Sequence, residues 1–586
     1  MNEYRTIIPF IKENRWRYFW GILALCIVDI ASLLVPQVIK RFADLAQFNQ
    51  LTKTNIFESI FWIIGLGIIV ATGRYGWRIN IFGTARKLEY WLRSKLFNHY
   101  LRMDDSFYTD HRTGDLMAHV SNDVLMVRNS MGGGIIMIFD ALFMTFFTIF
   151  MMISTVGLKI ALIALSALPF LALTVFLMAK PLRERSREVQ DTFSELTNEV
   201  QENISGIHNI KAFSIENNRA KSFLKINKLY QSKNINLVKL SAAFDPLITL
   251  IAGIAFVIFI IFGLRELMTN NITIGDFVAV IQYVGIMIWP MIALGMVVNT
   301  FQRGIAGMTR INEILAIKSK INESEEPIPL NKDKIEIEFK NVSFRYSQDL
   351  PYVLKNVSFQ IKDGQTFAIL GATGAGKSTI LNLLLRRYDV TAGNIYINNI
   401  DIRDLSFEDL YQAIALVEQE SFLFSRTIAG NIAFQAQSEI ELARIRRSAK
   451  FAQIDQEIME MPEQYETWVG ERGVTLSGGQ KQRISIARAH YQTAKVLVLD
   501  DALSAVDTNT EHHFLNQIKD LKSTLLIVSQ RISTVKDADQ IIVIQEGKII
   551  QHGNHESLLR EADSFYAKLH ERQLLESQLN RNNSSS

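Results

Sequence analysis

Six stretches of the chain are almost free of charge. Tyr18–Ile39 carries one charged residue, Asp29; the residues between Glu58 and Arg74 carry none; the thirty between Arg128 and Lys159 carry only Asp140; and Ile160–Ala179, Pro246–Leu264 and Phe277–Gln302 carry none. Crossing a bilayer core takes about 20 mostly apolar residues. Five stretches reach that length. The one between Glu58 and Arg74 is marginal; it is read as a span because an even number returns both ends to one side, the alternative being a buried helix. Tyr18–Ile39 is too long for the apolar part of a cleaved leader and has no small-residue cleavage site, so none is expected.

Lysine and arginine set the orientation. The loops after the second and fourth spans hold nine and eleven of them, and those after the first, third and fifth hold three, one and one. Positive charge stays on the cytosolic side, so the long loops and both termini are expected inside a cell membrane. Leu88–Leu101 and Phe193–Ala212 repeat apolar residues every three or four positions, which predicts cytosolic extensions of the spanning helices. From Ile335 the pattern changes: apolar runs at Ile335–Phe344, Gln365–Leu370, Val496–Leu499, Thr524–Val528 and Gln540–Ile544 alternate with helical stretches, an α/β arrangement. The expected division is a cytosolic segment 1–17, a six-helix membrane domain 18–305, a linker 306–334 containing Pro327 and Pro329, an α/β domain 335–570 and a polar, irregular tail 571–586.

Composition removes several classes. The chain has 586 residues, 48% hydrophobic, with mean hydropathy +0.12, which excludes a disordered protein. Cys26 is its one cysteine, which excludes a disulfide scaffold and multi-cysteine metal sites. A net charge of +3 leaves no nucleic-acid footprint.

Candidate chemistry begins at Gly371-Ala-Thr-Gly-Ala-Gly-Lys377-Ser378-Thr379, a phosphate-binding loop between a strand and the helix Thr379–Arg387. Its glycines, Gly371, Gly374 and Gly376, turn backbone N–H groups toward phosphates, Lys377 meets the β/γ-phosphates and Ser378 ligates Mg²⁺. The apolar run Val496–Leu499 ends at Asp500, placed to hold Mg²⁺. Leu476-Ser-Gly-Gly-Gln480 follows the loop by a hundred residues.

With Leu476–Gln480 added to the loop, Gln419, Asp500, Ser504–Asp507 and Val528–Thr534, the domain resembles the nucleotide-binding domain of ATP-binding cassette (ABC) transporters. The membrane half resembles that of type I ABC exporters, and Arg112–Asp115 and Glu202–Phe213 resemble their two coupling regions. The resemblance implies ATP and Mg²⁺ bound by Tyr346, Thr373, Thr379 and Gln419 beside the loop residues, with Ser378, Gln419 and Asp500 toward the metal. It also implies that two cassettes close head-to-tail, so that Ser477, Gly478, Gly479 and Gln480 complete the ATP site of a partner. With one cassette and six spans, this chain looks like half a transporter.

Two positions depart from the family pattern. Asp501 stands where the family has glutamate, and Gln530 where it has histidine. A carboxylate shorter by one methylene is withdrawn by about 1 Å, a misplacement that can cost about a hundredfold in rate. Glutamine cannot carry an imidazolium charge. The chain thus resembles the degenerate-site subunit of heterodimeric bacterial multidrug exporters, partnered by a half-transporter with the competent residues; a homodimer with two slow sites is the alternative. The expected cargo is a hydrophobic or amphipathic small molecule. Lipid, peptide, and an ATP-sensing regulatory role remain open, although a first span near residue 18 leaves no room for a peptidase domain. Asp29 and Asp140 are candidates for the substrate pathway, because a carboxylate inside a span is expensive unless it is paired or wet.

Overall fold

The computed structural model describes residues 3–584 apart from 167, 437–440, 471–472, 474–475, 503–513, 515–516, 518–522 and 562. The chain forms two units. One is Met1–Arg102 with His111–Lys318, the other Met103–Asp110 with Ser319–Ser586.

The first unit is helical: α1 (Arg15–Gln47), α2 (Lys53–Trp77), α3 (Ile135–Leu165), α4 (Leu168–Ser205), α5 (Phe244–Met268) and α6 (Ile274–Ala316). Five helical runs among the described residues, Arg15–Gln47, Lys53–Tyr100, Thr113–Leu165, Glu216–Met268 and Ile274–Ala316, are long and apolar enough to cross a membrane. The expected span Ile160–Ala179 runs across residue 167, which lies outside the described residues, into α4. Gly157 (φ 76°) interrupts α3, a left-handed conformation that glycine adopts without steric cost. The break falls beside Lys159, which pairs with Glu266 at 3.0 Å. The long loops are helical: α2 continues through a π turn, Arg78–Phe82, into Gly83–Tyr100, and Glu216–Ala242 leads into α5. At Gly132–Gly134 the helices pack closely, since an added Cβ would stand 3.0 Å from Ala85 or 2.9 Å from the Phe301 ring.

Helix α6 passes the boundary expected at 305 and ends at Ala316. Met308, Ile311 and Ile314 keep an apolar face at three-residue spacing and are buried, and Arg310 binds Asp123 through Nε at 3.1 Å. Charge on the opposite face hid this continuity in the composition.

The second unit holds two sheets. β1 (Ile337–Phe344), β2 (Leu354–Ile361), β4 (Ala392–Ile397) and β5 (Ile400–Asp401) form an antiparallel sheet in the order β2-β1-β4-β5. β3 (Thr366–Gly371), β6 (Ile414–Val417), β7 (Val496–Asp500), β8 (Thr524–Ser529) and β9 (Gln540–Gln545) are parallel, with β10 (Lys548–Gly553) antiparallel at the edge, in the order β10-β9-β3-β8-β7-β6. Strands β3 and β8 are buried along nearly their whole length, as strands covered on both faces must be. One core fills the space between the two sheets and α7 (Lys377–Leu384); the other lies behind the parallel sheet, against α8 (Gly478–Gln492). The tail expected to be irregular from 571 belongs instead to α9 (Phe565–Ser584), whose first turns are anchored by buried Tyr566 and by Leu569 against the second core.

Phe339 is buried between the sheets and stacks on Phe359 with ring centroids 4.5 Å apart. Phe339→Ala should lower the stability of the cassette by roughly 3–5 kcal/mol, seen as an earlier calorimetric transition in the solubilised chain; an unchanged transition would remove this contact from the core.

Candidate functional site

Strand β3 ends at Gly371, and the chain loops over Ala372–Gly376 before α7 begins. Gly374 (φ 80°) and Gly376 (φ 101°) both take left-handed backbone, which lets a short loop curl with its amides inward. The Lys377 ammonium is buried and donates to the carbonyls of Gly371 and Ala372, each at 2.9 Å. Around it lies a cavity of about 260 Å³ lined by Val353, Thr373, Gly374, Gly376, Lys377, Ser378, Thr379, Gln419, Asp500, Asp501 and Gln530. Ten of these eleven residues are separated by up to 157 positions in sequence and were singled out above; Val353 was not, because it sits in a polar turn with no motif around it.

Parallel pairing of β7 with β8 and of β8 with β3 brings Asp500 to the carboxyl end of the sheet beside the loop, the edge where open α/β sheets bind ligands. Burial pushes Asp500 above the ordinary carboxylate range and the Asp501 charge adds to it, against the Ser378 hydroxyl and the Lys377 ammonium. Burial pushes Lys377 below its ordinary value, and Asp501 and Asp500 oppose this. The site is therefore a small, partly dehydrated pocket holding one cation and two acids.

Asp501 has positive φ (44°) and its N–H donates to Val528 O at 2.8 Å. The side chain of Gln530 accepts from the Thr373 hydroxyl at 3.2 Å. Gln573 of α9 brackets the same turn: its amide donates to Gln530 O and its oxygen accepts from Ile532 N–H, both at 2.9 Å. The tail helix thus positions the Gln530 turn, a role that the polar character of residues 571–586 concealed.

Tyr346 and Gly371 stand next to the cavity rather than in its lining. The Tyr346 hydroxyl is 3.0 Å from Thr379 Oγ1, and its half-exposed ring packs edge-on against Phe344 and Tyr388. Ser477–Gln480 lies elsewhere. Ser477 caps α8, accepting from Gln480 N–H at 3.2 Å while Gln480 Oε1 accepts from Ser477 N–H at 2.9 Å. Ser477 and Gly478 are exposed, with Gly479 and Gln480 partly so. Ser504–Asp507 lies outside the described residues.

Of the segments between the spans, the one that belongs to the cassette unit is Met103–Asp110, just before the Arg112–Asp115 expected from the sequence, which lies in the helical unit. Glu202–Phe213, the other expected coupling region, also lies in the helical unit. Burial works to raise the Asp104 carboxyl, but four hydrogen bonds, from Ser106, Lys320, Ser319 and Phe107, hold it below its ordinary range. Phe107 is buried. Arg387 lies 3.5 Å from Asp105 and binds Glu418 at 2.6 Å, and Glu418 precedes the cavity residue Gln419.

Residues 18–291 match the ABC transporter transmembrane region, and residues 354–504 match the ABC transporter domain. The chain is 36% identical over 573 residues to the multidrug resistance-like ATP-binding protein MdlA of Buchnera aphidicola subsp. Baizongia pistaciae, covering 97% of this chain and 98% of that one. The chain belongs to the ABC transporter family. It is also 31% identical over 570 residues to an ATP-dependent lipid A-core flippase of Nitrosococcus oceani, covering 97% and 94% of the two chains. A solved bacterial Atm1-family ABC exporter with ATP bound superposes with a TM-score of 0.78, covering 95% of this chain and 98% of that one; at 24% identity this is a likeness of fold. The ABC transporter thus has a helical membrane domain fused to an α/β cassette in the type I exporter fold, and an ABC ATPase domain implies ATP hydrolysis coupled to transport.

Arg387→Ala in this ABC transporter removes both ion pairs and leaves Met103–Asp110 held by Phe107 and by the hydrogen bonds of Ser319 and Lys320 to Asp104. Hydrogen exchange in that segment should quicken about fivefold, the equivalent of about 1 kcal/mol. Unchanged exchange would show that Arg387 does not hold it.

Proposed function

We propose that this chain is one half of an ATP-driven exporter of hydrophobic or amphipathic compounds, and that it pairs with a different half-transporter whose cassette carries most of the hydrolysis. The observation that carries this reading is a pocket with the full phosphate-binding set but with Asp501 and Gln530 at the two catalytic positions. Lys377 and the loop amides hold the β/γ-phosphates, Thr373 and Thr379 flank them, and Tyr346 offers a face to the adenine. Ser378, Gln419 and Asp500 are the metal-facing oxygens. Among the described residues no group of three or more His, Cys, Asp or Glu could hold a metal unaided. That fits Mg²⁺, which keeps several waters and takes one or two protein oxygens together with substrate phosphates. When bound, Mg²⁺ neutralises charge on the β- and γ-oxygens during phosphoryl transfer.

Asp501 is one methylene shorter than the family's glutamate, which withdraws the carboxylate by about 1 Å from a water positioned for that residue, and it lies 3.5 Å from the Ser529 hydroxyl. Gln530 is engaged with Thr373 and is neutral. The exposed Ser477–Gly479 edge is intact, as a surface that completes the partner's competent site needs to be. The lysine and arginine distribution supports a multi-pass membrane protein with termini and cassette cytoplasmic, and the bacterial relatives support a bacterial cell membrane. The name of the Buchnera relative supports multidrug cargo; the flippase relative favours lipid as the second reading.

Tagging the chain in its own host should bring down a second half-transporter with glutamate and histidine at the two positions. In that complex Asp501→Ala should retain more than about half of the ATPase activity, and Ser477→Arg should lose at least about tenfold. A large loss from the first change would make Asp501 a working base; recovery of this chain alone at twice its mass would make the exporter a homodimer. ATP-driven uptake of an amphipathic dye by inverted vesicles tests export itself, with lipid A analogues as the competing cargo.

A further inference from the structure

Asp29 on α1 is only 6% exposed, although it lies in the middle of an apolar span. Asp140 on α3 is partly buried. One oxygen of each, Oδ2 of Asp29 and Oδ1 of Asp140, is buried and accepts no hydrogen bond among the described residues. The two carboxylates are within electrostatic reach of one another and of Arg74 on α2. With both carboxyls ionised, two carboxylates and one guanidinium leave the group one positive charge short. Charge of this kind inside a membrane is costly and calls for a partner.

The neighbouring surface suits an aromatic cation. Phe139, Phe143 and Phe147 form a ladder along α3, with ring centroids 5.1 Å and 4.3 Å apart. Asp140, Phe143 and Phe147 share a face by their three- and four-residue spacing. All four residues are partly exposed. Aromatic faces attract cations, more strongly when water is excluded.

We propose that Asp29, Asp140 and Arg74, with the Phe139–Phe143–Phe147 ladder, form a binding site for the single positive charge of an amphipathic organic cation. The proposal deepens the export reading by naming the charge class of the cargo, and it rests on that reading. The charge balance gives each residue a direction: either carboxylate strengthens the site, and Arg74 weakens it while limiting it to one charge.

The test is equilibrium binding to the purified full-length complex in nanodiscs, with tetraphenylphosphonium as the cation and tetraphenylborate as an anion of the same shape. Asp29→Asn and Asp140→Asn should each weaken phosphonium binding by about tenfold without weakening borate binding. Asp29→Glu should restore it. Arg74→Gln should tighten phosphonium binding, an effect that misfolding would not produce. Phosphonium affinity unchanged in both Asn variants, as when the pair holds only a proton, would overturn the proposal; so would equal loss of both ions, or weaker phosphonium binding in Arg74→Gln. If vesicles show no ATP-driven export while Asp29-dependent binding persists, the export reading falls and the site stands.

Discussion

The Lys377 ammonium sits almost out of water at the start of α7, one short loop beyond a strand that is buried along nearly its whole length. Dehydrating an ion costs several kcal/mol unless it is paired and hydrogen-bonded. The cassette meets this cost with the carbonyls of Gly371 and Ala372 and with the acids at the ends of β7 and its neighbouring turn. Each of these is placed by something larger. The carbonyls converge because Gly374 and Gly376 take left-handed backbone; the acids arrive because β3, β8 and β7 pair in parallel register. A cation fixed among inward-facing amides, with carboxylates across a small cavity, is an arrangement suited to a nucleotide triphosphate and its Mg²⁺.

The same pocket is tied to more distant parts of the cassette unit by short polar links. Arg387 joins Asp105 of the Met103–Asp110 segment to Glu418, next to cavity residue Gln419. Gln573 joins the last helix to the turn that carries Gln530. Each link is a few hydrogen bonds beside a buried aromatic anchor, Phe107 in the first case and Tyr566 in the second. Such contacts can rearrange without unfolding the core.

What the sequence made legible follows from burial. The parallel strands β3, β7, β8 and β9 read as plain apolar runs, so the sequence pattern places them to within a residue or two, whereas the four-residue parallel strand β6 at the sheet edge was not singled out. β2, with a polar residue at every second or third position, and the short or edge strands β4, β5 and β10 do not stand out, because half of each faces solvent or another polar element. The phosphate loop and Asp500 were visible as residue types in a recognisable pattern, Asp501 and Gln530 only through the family resemblance, and the fold brings them to one cavity. Val353, Arg387 and Gln573 were not, because a turn residue, a surface arginine and a tail glutamine acquire their roles only from what the fold sets beside them. The Met103–Asp110 segment was missed by a few positions: its signal, Asp104 ahead of a short helix with Phe107, is weaker than the Arg112–Asp115 pattern that follows it.

The central claim is that this chain binds ATP at its own phosphate loop and cleaves it slowly there. The most direct measurement is to let the membrane-embedded complex turn over on azido-ATP labelled at the γ-phosphate, crosslink by light, separate the chains and count label on each. The account predicts that this chain retains the γ-label, as intact ATP, after many turnovers of the complex. Loss of the γ-label from this chain at the rate of overall turnover would contradict it and make Asp501 and Gln530 competent catalytic groups.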